Sequence, residues 1–146
     1  KLLERTGTNG NGSITAIYTV LVEGDDMNEP VADAVRGFLD GHIVLSRKLA
    51  NANHFPAIDV LRSVSRLDRS VCTENEMSLI SKARDLLSVF HQNEDLINVG
   101  AYVEKTNPKI DQAIEKQALI SNFLRQPYNQ LIKRSDSFKL LGEILI

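Results

Sequence analysis

The sequence predicts an α/β region followed by an all-α region. Two observations point to the first part. Residues 14–22 are a nearly continuous run of β-branched and aromatic side chains, and residues 42–45 form a second short apolar strand, with a helical repeat between them. A third observation points to the second part. Two helix-start signals, Thr73-x-x-Glu76 and Asn107-Pro108, are each followed by apolar residues at helical spacing.

The chain opens on Lys-Leu-Leu-Glu-Arg, which reads as the tail of a helix cut from something longer. Residues 6–12 (TGTNGNG) hold three glycines and two asparagines and predict a turn-rich loop. No lysine follows this loop to meet a phosphate, so it is not a phosphate cradle. The strand over residues 12–22 lacks polar alternation, which suits burial on both faces of a parallel sheet. After Pro30, the residues Val31, Ala34, Val35 and Phe38 repeat at helical spacing, and Gly41 closes that helix. Strand, helix and strand in this order make a right-handed crossover unit. Two strands cannot cover a sheet, so partners are expected before Lys1; without them residues 14–22 would expose an apolar edge prone to partial order or strand exchange.

Beyond Arg66 the periodicity turns helical. Met77, Ile80, Ala83, Leu87 and Phe90 predict one helix to about His91, and residues 94–99 a shorter one stopped by Gly100. Ile110, Ala113, Ile114, Ile120 and Leu124 carry the next helix until Pro127 breaks it. A last helix is expected within residues 137–145. The boundary falls near residues 67–72, giving domains 1–70 and 71–146.

Composition excludes several classes of function. With 42% hydrophobic and 25% charged residues, the 146-residue chain matches an ordinary globular protein of one or two small domains. A net charge of −2 argues against a nucleic-acid surface built on bulk charge. The lone Cys72 allows no internal disulfide, fits a reducing cytosol, and has no base paired with it by sequence pattern. His42, His54 and His91 show no metal-ligand spacing, and no metal site is expected in the chain.

The segment GSITAIYTVLVEGDDMNEPVADAVRGFLDGHIVLSRKLA, followed by HFPAIDVLRSVSR, resembles the ATPases of bacterial type III export systems. That family is similar in turn to the catalytic β subunit of rotary F-type ATPases. Glu4-Arg5-Thr6-Gly7 and Ala57-Ile58-Asp59-Val60 favour the flagellar branch over the virulence-secretion branch. The resemblance implies the second half of a RecA-like P-loop ATPase core, with parallel strands and a crossover helix, followed by a C-terminal helical domain. It further implies a longer parent whose β-barrel, P-loop, magnesium-holding aspartate and water-activating glutamate precede Lys1. ATP and Mg2+ would be cofactors of that parent, and this piece alone would be inactive.

The same resemblance assigns roles to residues. Arg66, ending Ser63-Val64-Ser65-Arg66, matches an arginine finger supplied to a neighbouring subunit. Guanidinium suits that task because it stays charged and presents a planar fork of donors. Such fingers contribute about 10³ to 10⁵ in rate. Without the resemblance, a surface ion pair with Asp59 or Asp68, worth about 0–1 kcal/mol, would explain Arg66. Phe55 matches the aromatic that stacks on adenine, and Phe123 the residue by which the helical domain closes over the same base; core packing is the plain alternative for both. Asp25, Asp26 and Asn28 match a loop that meets a central stalk; from the residues alone a solvated acidic loop is the plainer reading, and the two are compatible. They lack the alternating ligands of a calcium loop.

The implied partners are a homohexamer, a stalk-like coiled-coil export protein, export chaperones and substrates, and an export gate at the membrane, with no nucleic acid. The implied location is cytoplasmic, peripheral to the inner face of the cell membrane. A second class of function treats the chain as a non-catalytic module whose helical part binds chaperones or substrates.

Overall fold

The computed structural model describes residues 5–22, 24, 26–27 and 29–146. By internal contact the chain forms two compact units, Lys1–His42 and Ile43–Ile146.

In the first unit, β1 (Gly7–Asn9) and β2 (Gly12–Ile14) pair antiparallel with Asn9 opposite Gly12, leaving Gly10-Asn11 as a two-residue turn. The expected loop over residues 6–12 is therefore a hairpin. A Gly-Asn pair with small polar flanks fits such a turn, and Gly7 and Gly12 both sit at positive φ. The strand expected over residues 12–22 stops at Ile14, and residues 15–22 take no regular structure. A strand exists only through a ladder partner, and β1 is the one that β2 has among the described residues. Ile17 and Leu21 are accordingly 95% and 93% exposed. The crossover unit expected here thus lacks its first strand. Helix α1 (Pro30–Phe38) forms as anticipated, with proline in its first turn, but Val31 and Phe38 are exposed and Ala32 is buried instead.

Next, β3 (Gly41–Leu45) pairs with β4 (Ile58–Ser65). Between them lies α2 (Arg47–Asn51), capped by Ser46, whose hydroxyl accepts the Leu49 amide. This short helix has too few residues to show a period. A turn of helix, α3 (Asp68–Val71), leads to α4 (Glu74–Asn98). Its capping box is complete: the Glu76 amide donates to the Thr73 hydroxyl, and the Glu76 carboxylate accepts the Thr73 amide. The two helices expected between residues 73 and 99 are one of 25 residues, because Gln92 and Asn93 do not break the hydrogen-bond ladder. Gly100, at φ +70°, ends α4. Its amide donates to Ile97 and that of Ala101 to Leu96, which satisfies the last carbonyls in a Schellman pattern.

Helix α5 (Pro108–Leu124) starts at the Asn107 cap, and α6 (Arg134–Leu145) begins three residues earlier than expected. The core of this unit is Ala83, Leu86 and Leu87 of α4, Ala113 and Ile120 of α5, and Leu141 and Leu145 of α6. Ile120 and Leu145 are each 1% exposed, and burial of each contributes about 1.5–3 kcal/mol. Val60 and Leu61 of β4 pack against this helical core, so the strand is held from the helix side as well as by β3.

Candidate functional site

The loop leading into β4 is fixed by its backbone. The His54 amide donates to Leu49, and the Ser46 amide donates to Ala57. Most telling is the link to α5: the Gln126 amide donates to the Phe55 carbonyl at 2.9 Å. Phe55 is thereby anchored to the segment that follows Phe123, while its own ring remains about half exposed. Phe123 lies on the last turn of α5, half-buried against the helical core. The structure thus brings the Phe55 backbone to the end of α5, and gives Phe123 a packing role as well.

Beside this link, His54 is buried, and its Nδ1 accepts a hydrogen bond from Arg125 Nε at 3.4 Å. Burial, and then the Arg125 charge, lower the imidazole below its ordinary value of 6.5. The neutral ring with an unprotonated Nδ1 is the form this contact needs. Histidine spacing did not single out this pair, and 71 residues separate its members.

At the other end of β4, Arg66 is the first residue after the strand and is exposed. The strand is not a plain ribbon. Asp59 Oδ1 accepts the amides of Leu61 and Arg62, each at 3.1 Å, and the Ser63 hydroxyl donates to the Asp59 carbonyl at 2.6 Å. The Val44 amide of β3 donates to that same hydroxyl at 3.0 Å. From α4, Arg84 reaches the carbonyls of Val60, Leu61 and Ser63. Sequence reasoning missed Arg84, because nothing in helical spacing distinguishes it from a solvated arginine. Chemically, Arg66 offers a permanent planar cation on a braced strand end, suited to oxygen anions.

In the acidic loop, Asp25 and Asn28 lie outside the described residues. Asp26 is exposed, and its carbonyl accepts the Glu29 amide at 3.1 Å, one turn before α1. Among the described residues no cluster of His, Cys, Asp or Glu is arranged to hold a metal ion, and no helix is long and apolar enough to cross a membrane.

Residues 1–65 match the ATP synthase alpha/beta family, nucleotide-binding domain, and residues 72–143 match the T3SS EscN ATPase C-terminal domain. The chain belongs to the type III export branch of the ATP synthase alpha/beta family. It is 54% identical over 126 residues to the flagellum-specific ATP synthase of Bacillus subtilis, covering 86% of this chain and 29% of that protein. It is 50% identical over 145 residues to the SPI-2 type 3 secretion system ATPase of Salmonella typhimurium, covering 99% and 34%. Among solved structures, the assembled ATPase EscN of enteropathogenic E. coli, in complex with its central stalk EscO, matches with a TM-score of 0.88. Identity there is 40%, over all of this chain and 34% of that one. This export-ATPase chain therefore has the EscN fold, a mixed helix and strand region followed by helices, and spans about a third of the length of the relatives it matches.

Proposed function

We propose that this chain is the C-terminal part of a homohexameric ATPase that hydrolyses ATP, with Mg2+, to drive flagellar protein export by the type III pathway. The observation that carries the reading is the order of the two family matches, a nucleotide-binding domain and then an export-ATPase C-terminal domain. On this reading residues 1–70 complete a RecA-like core whose parallel sheet also takes up residues 15–22, and residues 71–146 form the helical domain. Chaperones and export substrates meet the helical domain. The assembly works in the cytoplasm against the export gate at the membrane.

The geometry of β4 supports the division of labour. Phe55 and Arg66 flank opposite ends of an eight-residue strand, on the order of 20 Å long. One chain therefore offers its aromatic ring to one nucleotide and its guanidinium to another, as a ring with active sites between subunits requires. Phe55 and Phe123 wall the adenine of their own subunit's nucleotide. Arg66 meets the γ-phosphate of the neighbour's as charge develops there. Asp25, Asp26 and Asn28 serve as contacts for a stalk-like coiled-coil protein, as the related EscN was solved in complex with its central stalk EscO. The virulence branch is the second reading, favoured by the 50% identity to the SPI-2 ATPase.

The test is Arg66→Ala in the full-length protein. Turnover should fall by about 10³-fold or more, with ATP affinity changed only a few-fold. Turnover that survives intact removes Arg66 from the mechanism. Residues 1–146 contain no Gly-Lys-Ser/Thr phosphate loop and by themselves should turn over no ATP.

A further inference from the structure

We propose that Arg84 is a positioning residue for Arg66, setting where the finger stands; this rests on the finger reading above. Arg84 lies on α4 and is half-buried. Its Nη1 donates to the carbonyl of Val60 at 2.5 Å and to that of Ser63 at 3.3 Å, and its Nη2 donates to Leu61 at 3.1 Å. These partners are main-chain oxygens of β4, so the guanidinium holds backbone position where a surface arginine would neutralise a carboxylate. A guanidinium addresses three carbonyls on one short stretch with donors fixed in one plane; an ammonium is a compact point charge without that fixed geometry.

The stretch it holds is the irregular part of β4. There, Asp59 Oδ1 accepts two successive amides, those of Leu61 and Arg62, so a side chain helps to define the local backbone. Ser63 is fixed twice, by Arg84 at its carbonyl and by the Val44 amide at its hydroxyl. Only Val64 and Ser65 separate it from Arg66. After Arg66 the chain turns at once, the Leu67 amide donating to the Ser65 hydroxyl at 3.2 Å. Arg66 thus lies three residues after a point that Arg84 holds.

Arg84 also lies within residues 72–143, and its partners lie within residues 1–65. A side chain of the C-terminal domain therefore grips the last strand of the nucleotide-binding domain. Any shift of α4, for instance when cargo loads the helical domain, moves the finger. Displacements of about 1 Å in such groups cost about 100-fold in rate.

The experiment uses the full-length hexamer with Arg84→Ala, Arg84→Lys and Arg66→Ala. Arg84→Ala is expected to lower kcat by about 100-fold while KM for ATP stays within about threefold. It should also lose retention of ADP–aluminium fluoride, a mimic of the transferring phosphate, with ADP affinity unchanged. Arg84→Lys should fall between the two. Added to Arg66→Ala, Arg84→Ala should cause no further loss of that retention. Full kcat in a folded Arg84→Ala hexamer, beside an inactive Arg66→Ala, overturns the inference and leaves the finger standing. Should Arg84→Ala not assemble, Arg84→Lys decides: wild-type kcat overturns the inference, and a kcat loss without a KM change supports it. Full turnover in Arg66→Ala overturns the finger reading, and with it this one.

Discussion

The main-chain N–H of Gln126 donates to the carbonyl of Phe55 at 2.9 Å, so the end of α5 and the loop entering β4 share one backbone hydrogen bond. The link fixes the backbone of Phe55 while its ring stays about half exposed, an arrangement that makes sense for a ring waiting on a ligand. Isolated exposed apolar residues are common, however, so the ring must be tested by binding.

Phe55→Ala in the full-length protein should weaken ATP binding by about 1–3 kcal/mol, the usual loss for one stacked base. Phe55→Tyr, which keeps the flat face, should bind as the parent does. Titration with a fluorescent adenine nucleotide separates the two. Equal affinity in the alanine variant would return Phe55 to simple surface exposure.

The sequence carried much of this architecture because its signals were local. The Thr73 capping box, the Asn107-Pro108 start and the Gly100 stop each depend on residues within one turn, and each formed at its expected position. Residues 15–22 form no strand here because β-branched composition describes a strand that a sheet would accept, and the described residues provide no sheet partner for it. Arg84 and the His54–Arg125 pair were illegible for a different reason. Their meaning comes from partners 21 to 71 residues away, which no period or spacing encodes.

His54 should make stability depend on pH in a definite direction. Burial first, then the Arg125 guanidinium, keep its folded value below 6.5, so the unfolded chain binds the proton more readily. Its contribution is fully present above 6.5 and is lost as pH falls from there through the lowered folded value. Denaturant midpoints at about pH 7.5 and about pH 5.5 should therefore differ, and His54→Gln should narrow the difference. An identical pH response in the two proteins would show that folding leaves the proton affinity of the imidazole unchanged.

The start of α4 holds a second testable contact. Thr73→Ala removes the hydroxyl that accepts the Glu76 amide at 3.3 Å and should cost about 1 kcal/mol, whereas Thr73→Ser should cost little. Glu76 is held below its ordinary range by the Thr73 amide, against a burial penalty, and by the guanidinium of Arg134 at 2.8 Å. Its contribution is thus present above about 4.5 and lost as pH falls through the lowered value. Glu76→Gln should lower stability at neutral pH and flatten the acid limb of a thermal-stability profile, the two proteins converging at low pH. A Thr73→Ala variant as stable as the parent would mean that the box geometry does not persist in solution.

If the acidic loop meets a stalk as proposed, charge should decide how it does so. Asp26 is exposed one turn before α1, so its carboxylate would stand at the rim of a contact rather than at its buried centre. Rim charges act mainly through association rate and are screened by salt over about 8–10 Å. Asp26→Asn in the full-length hexamer should therefore weaken binding of a basic coiled-coil stalk protein only about two- to fivefold at low salt, by slowing association. At about 0.5 M salt the two proteins should bind alike. Asp26→Lys should double the effect, because it replaces an attraction with a repulsion. A loss that appears in the dissociation rate and persists at high salt would place Asp26 in the buried heart of the contact, and unchanged binding in both variants would remove it from the stalk surface.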